Sequence, residues 1–188
     1  MSDALKKEVR YTYADYCSWP EGERWELIDG VAYAMAPAPS QTHQTVFGVI
    51  FTQLHNYLKG KPCKVFSAPF DVRLNVNSAD DTVVQPDILV VCDESKLDGK
   101  GVVGAPNLVI EILSPSSMRH DFITKKMLYQ RAGVREYWIV DPESKTVTAN
   151  VLRSGRYMSL LYDDQDAAVP VEVLEGFAIN LTEVFEGL

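Results

Sequence analysis

Apolar and polar positions alternate along the chain in a way that predicts many short strands arranged around two helices. From Gln41 to Leu58 the apolar residues Val46, Phe47, Ile50, Leu54, Tyr57 and Leu58 recur at helical spacing, predicting an amphipathic helix that ends near Gly60. A second helix is expected after Ser114-Pro115-Ser116-Ser117, where serine can cap it, and runs to Ala132 with Gly133 as its left-handed stop. Thr12 to Tyr16 reads as a short helix, and Trp25 to Met35 as a hairpin around Asp29-Gly30, a dipeptide suited to a type I′ turn. Strand patterns follow at Lys64 to Phe66, Phe70 to Leu74 and Val83 to Cys92, then at Leu108 to Leu113 and Tyr137 to Asp141. Thr146 to Leu152 and Tyr157 to Leu161 form a further hairpin pattern, followed by a short strand near Val171 to Leu174 and a terminal helix near Leu181 to Phe185. The glycine-rich stretch from Asp93 to Ala105 reads as a flexible loop. Strands that flank a helix in the middle and form hairpins at both ends predict an α/β (α+β) fold with a mixed sheet.

Two carboxylates interrupt these apolar strands. Asp87 follows Pro86 and opens Ile88-Leu89-Val90-Val91, and Glu111 lies inside Leu108-Val109-Ile110-Glu111-Ile112-Leu113. A lone buried carboxylate costs several kcal/mol, so each needs a cation, a metal or a hydrogen-bond network beside it. If the two strands are neighbours, both acids can share a hard divalent cation. Mg²⁺ accepts two carboxylates and a carbonyl and keeps water at its other positions, and the carbonyl of Ile112 is the expected third ligand. Mn²⁺ is a possible substitute. On the following helix Asp121, Lys125 and Tyr129 fall on one stripe. Lys125 is the candidate to orient a water and offset the charge of a phosphoryl transition state. This reading requires Asp87, Glu111 and Lys125 to converge in one open cleft. A plain Glu111–Lys125 salt bridge without metal is the competing structural account.

Composition narrows the picture. With 188 residues, 46% hydrophobic, the chain suits one domain over residues 1–188. No apolar run is long enough for a membrane span, and the charged N-terminus differs from a signal peptide, so a cytoplasmic location is expected. Cys17, Cys63 and Cys92 lack metal-site spacing and read as separate buried thiols, against a disulfide framework and against structural zinc. His43 reads as a structural residue near a helix start and stays outside the catalytic set. Net charge is −8, yet the first 156 residues hold 18 basic against 19 acidic residues, because seven acids and no base follow Arg156. Arg119, Lys125, Lys126, Arg131 and Arg135 form a local basic cluster that is either a solvated helix face or a nucleic-acid contact.

Trp25-Glu26-Leu27-Ile28-Asp29-Gly30, His43 opening a helix, Gln85-Pro86-Asp87 and Ala105 through Ser116 follow one another in an informative order. Asp121, Lys125, Tyr129 and Ala132 through Asp141 continue it. Together they resemble the Uma-two family of restriction-endonuclease-like proteins within the PD-(D/E)XK nuclease superfamily. The resemblance implies a restriction-endonuclease-like mixed β-sheet flanked by helices, with additional hairpins. It also implies a metal-dependent DNA endonuclease that works as a homodimer, with Glu26 assisting Asp87, Glu111 and Lys125. The superfamily pattern has lysine where this chain has Leu113. Either the lysine has migrated to Lys125, with Lys126 as its less favoured neighbour, or the fold persists as an inactive module that binds nucleic acid or protein.

Overall fold

The computed structural model describes residues 9–20, 22–35, 38–76, 78–114 and 120–188, with the backbone alone for 120–122. The chain begins with α1 (Tyr13–Tyr16), where Thr12 and Asp15 form a reciprocal capping box. Strands β1 (Trp25–Ile28) and β2 (Val31–Ala34) pair around Asp29 and Gly30. Both turn residues have positive φ, 49° and 78°, as a type I′ turn demands. Next comes α2 (Gln41–Leu58), capped by Ser40, which buries Val46, Ile50, Leu54 and Leu58 along one stripe. It is followed by β3 (Lys64–Ser67), β4 (Asp71–Arg73), β5 (Val83–Val84), β6 (Ile88–Val91), β7 (Gly101–Val103) and β8 (Leu108–Ile112).

A π-helical turn, His120–Lys125, leads directly into α3 (Lys126–Ala132), which Gly133 ends with φ 85°. The remaining elements are β9 (Glu136–Asp141), β10 (Thr146–Arg153), β11 (Arg156–Tyr162), β12 (Ala168–Pro170), β13 (Ala178–Asn180) and α4 (Leu181–Val184).

Six strands form the main sheet in the order β11-β10-β9-β8-β6-β3, with β8 and β9 parallel and the other pairs antiparallel. Alternate residues feed two cores on its opposite faces. Ile88, Val90, Leu108 and Ile110 pack with the buried stripe of α2, whereas Leu89, Val91, Val109 and Leu113 pack with α3. That second core also contains Ile28, Val72, Val84 and Val102 from a five-stranded sheet ordered β2-β1-β5-β4-β7. The architecture is a mixed α+β fold. No described helix is long and apolar enough to cross a membrane.

The structure departs from the sequence-based expectations in several places. Val83 to Cys92 is two strands, because Pro86 has no N–H for the ladder and the chain leaves β5 before entering β6. The expected loop from Asp93 to Ala105 holds a 3₁₀ turn, Glu94–Lys96, and β7, which runs parallel to β4. Val171 to Leu174 is a turn between β12 and β13. Cys63 and Cys92 form a disulfide: Lys64 pairs with Val91, so the next residues outward face each other, with Cα atoms 3.9 Å apart. Their separation in sequence conceals that register. Cys17, expected to be buried, is a free and exposed thiol. Of the stretch Ser114-Pro115-Ser116-Ser117 expected to cap the second helix, residues 115–117 lie outside the described residues.

Candidate functional site

Glu111 occupies a position of β8 where alternation would call for another core residue. Its neighbours on that face, Val109 and Leu113, pack into the α3 core. Lys125, the last residue of the π-helical turn, places Nζ 2.9 Å from Glu111 Oε1. One turn later Tyr129 donates its hydroxyl to the same oxygen at 2.9 Å. The helix that crosses over from β8 to its parallel neighbour β9 therefore returns two donors to the strand it left.

Glu26, on the inward side of β1, completes the cluster: its Oε1 lies 2.9 Å from Lys125 Nζ and accepts the Gln85 backbone N–H at 2.9 Å. Glu26, Glu111 and Lys125 are each only 4% exposed. Burial, followed by the fields of Glu111 and Glu26, holds the Tyr129 phenol well above its ordinary pKa. The hydroxyl therefore remains a donor to Glu111.

Asp87 stands one residue before β6. The pairing of Ile88 with Ile110 and of Leu89 with Val109, continued by one position, sets Asp87 opposite Glu111. Asp87 Oδ2 accepts the Ile112 N–H at 2.8 Å, which lies beyond the last rung shared with β6. It also lies 3.2 Å from His43 Nε2 on the first turn of α2. The N–H and C=O of a strand residue point to the same side, so the Ile112 carbonyl also faces the gap beside Asp87. The Asp87 side chain is 23% exposed. Among the described residues, Asp87 Oδ1 makes no hydrogen bond.

By donor chemistry, these groups are of the kind that a hard divalent cation takes. Asp87, Glu111 and the Ile112 carbonyl are all oxygen donors, and Mg²⁺ requires only one or two carboxylates from a protein. Among the described residues no three His, Cys, Asp or Glu side chains converge as a metal cage. That excludes a cage built from those described side chains alone.

The expected single open cleft is not what forms. Glu26, Glu111 and Lys125 are enclosed, while a cleft of about 260 Å³ opens beside His43, and none of the three lines it. Its lining includes His43, Thr42, Leu113, Ser114 and Asp141. His43 is thus the residue that sequence reasoning set aside and the structure brings in: it is 7% exposed, lines the cleft and touches Asp87. Its signal was legible, because His43 continues the Val46, Ile50, Leu54 stripe, where a polar residue needs a partner.

The basic cluster expected around α3 is divided. Lys125 is buried, Lys126 donates to Ser159 Oγ, and Arg131 pairs with Asp29 at 2.7 Å. The side chain of Asp121 and all of Arg119 lie outside the described residues.

Three comparisons bear on what this arrangement is. The chain is 27% identical over 178 residues to the uncharacterized protein slr1290 of Synechocystis sp. (strain ATCC 27184 / PCC 6803 / Kazusa), covering 93% of this chain and 90% of that protein. The fold is similar to a crystal structure described as "a putative nuclease belonging to DUF820" from Anabaena variabilis ATCC 29413. The TM-score is 0.75 at 20% identity, covering 93% of this chain and 97% of the other. At that identity the likeness speaks for the fold alone. Residues 13–182 match the family Uma2, described as "Putative restriction endonuclease". The chain therefore belongs to the Uma2 family of restriction-endonuclease-like, nuclease-type proteins.

Proposed function

We propose that residues 1–188 act as one domain, a Mg²⁺-dependent endonuclease that hydrolyses phosphodiester bonds in DNA as a cytoplasmic homodimer. The observation that carries this reading is the position of Lys125 Nζ, 2.9 Å from both Glu111 and Glu26, on the strand pair that also bears Asp87. An ammonium fixed there from the following helix supplies what Leu113 lacks, and this supports the reading of a migrated lysine.

Asp87, Glu111 and the Ile112 carbonyl would hold the cation. When bound, Mg²⁺ supplies positive charge against phosphoryl oxygens and lowers the pKa of a nearby water. Lys125 would orient the attacking water and offset negative charge in the transition state, which requires the enclosed cluster of Glu26, Glu111 and Lys125 to open when substrate binds. Glu26 holds the Lys125 ammonium, Tyr129 fixes the shared oxygen of Glu111, and His43 and the Ile112 N–H fix Oδ2 of Asp87. Such supporting bonds set the aim of ligand oxygens.

The test is cleavage of supercoiled plasmid and duplex oligonucleotides with and without MgCl₂ or MnCl₂, together with calorimetric titration of Mn²⁺. Cleavage should require the metal. Asp87→Ala and Glu111→Ala should each reduce it by about 100-fold or more, with unchanged circular dichroism. A second reading, a nuclease fold kept as a binding module, is favoured by the 4% exposure of Glu26, Glu111 and Lys125. Absence of both Mn²⁺ uptake and cleavage would reject the first reading, and retention of duplex DNA in a gel-shift assay by the same preparation would then support the second.

A further inference from the structure

We infer that β11 is the homodimer interface, through antiparallel pairing with β11 of a second copy about a two-fold axis at Leu160. The inference refines the homodimer named above and is independent of the metal site. β11 is a seven-residue edge strand of the six-stranded sheet. It contains no proline, and such an edge is a template for another chain unless something blunts it. The opposite edge, β3, has four residues and carries the Lys64–Glu94 ion pair.

The direction of the free backbone groups follows from the β10–β11 hairpin. Arg153 and Arg156 flank the two-residue turn Ser154-Gly155, both of whose φ values are positive. Arg156, Met158, Leu160 and Tyr162 therefore direct their backbone groups toward β10, and Tyr157, Ser159 and Leu161 direct theirs outward. Gln130 Oε1 of α3 accepts the Tyr157 N–H at 2.7 Å, in agreement with that assignment. Among the described residues, the open stretch is thus Ser159 to Leu161.

An axis at Leu160 pairs Ser159 of each copy with Leu161 of the other, so the outward groups of both residues are satisfied. On one face it joins Met158 to Tyr162 and Leu160 to Leu160, where Met158 and Leu160 are now 62% and 51% exposed. The strand ends are complementary in charge. Arg156 of one copy meets the turn that holds Asp163 and Asp164 of the other, and both copies gain the same contact by symmetry. A second copy therefore satisfies backbone, apolar stripe and charge together.

Sedimentation velocity over a concentration series tests the inference. Wild type should sediment as a dimer of the 21.0 kDa chain. Leu160→Lys, which opposes two ammonium groups on the axis, and Arg156→Asp should both sediment as monomers with unchanged circular dichroism. Arg156→Asp combined with Asp164→Arg should restore the dimer. Leu160→Cys in a Cys17→Ser background should cross-link on oxidation. A dimer that persists in Leu160→Lys and fails to cross-link through Leu160→Cys would overturn this surface while leaving the homodimer standing. Monomeric wild type throughout would overturn both. Plasmid cleavage, read separately, decides the nuclease assignment in either case.

Discussion

Replacing Lys125 with methionine keeps most of the hydrocarbon stem and removes the charge. In the native protein Nζ lies 2.9 Å from Glu26 Oε1 and 2.9 Å from Glu111 Oε1, with all three residues 4% exposed. Without the ammonium, two enclosed carboxylates lose their shared counter-ion. Removing one partner of a buried ion pair costs about 3–5 kcal/mol. For a domain of this size each kcal/mol lowers Tm by about 2–4 °C, so Lys125→Met should melt roughly 6–20 °C below wild type. The cost comes from the stranded charges, so adding Glu26→Gln should recover part of the loss. A divalent ion held by Asp87 and Glu111 should also recover part of it, since saturation at 100 times Kd contributes about 2.7 kcal/mol. Differential scanning calorimetry with EDTA, MgCl₂ or MnCl₂ reads all of these effects without substrate. A Lys125→Met variant that melts within about 2 °C of wild type in EDTA would refute the argument that this cluster is a buried, mutually dependent unit.

Two further outcomes follow from the fold. Gly101→Ala should be strongly destabilising, because its Cβ would lie 2.3 Å from the Asp71 carbonyl oxygen across the parallel β4–β7 pair. Urea unfolding should show a loss of at least about 2 kcal/mol, and a neutral result would mean that β7 does not pair there. Burial holds the Glu136 carboxyl above its ordinary value of 4.5, against hydrogen bonds from Val173 N and Trp138 Nε1. The folded protein therefore keeps that proton to higher pH than the unfolded chain does. Its stabilising contribution is complete below pH 4.5 and is lost as pH rises through the folded value. Wild type should lose more stability than Glu136→Gln across that window in thermal melts, and parallel curves would exclude Glu136 as the group responsible.

What was legible in the sequence is the set of features fixed by neighbours along the chain. The Asp29-Gly30 turn, the buried stripe of α2 and the Gly133 stop depend on local backbone preference and periodicity, and each appears where the pattern puts it. Glu111 was legible because a carboxylate within an apolar strand has few inexpensive explanations. What depends on register was hidden. Cys63 and Cys92 are 29 residues apart in sequence and meet only because β3 and β6 align as they do. β7 lacks a strong strand pattern because a buried glycine begins it, at the point where the Asp71 backbone comes close. The enclosure of Lys125 was equally invisible, since it depends on the five-stranded sheet bringing Glu26 over the helix.

The two-sided tether on Asp87 has a mechanical consequence. Its Oδ2 is held at once by Ile112 in the plane of the sheet and by His43 at the tip of the long helix on one face, whereas Glu111 points into the opposite face. The carboxylate is therefore clamped from two separate elements, and its orientation depends on the start of α2 and the end of β8 keeping their spacing. Loosening either anchor leaves the acid with a single hydrogen bond and free to swing about it.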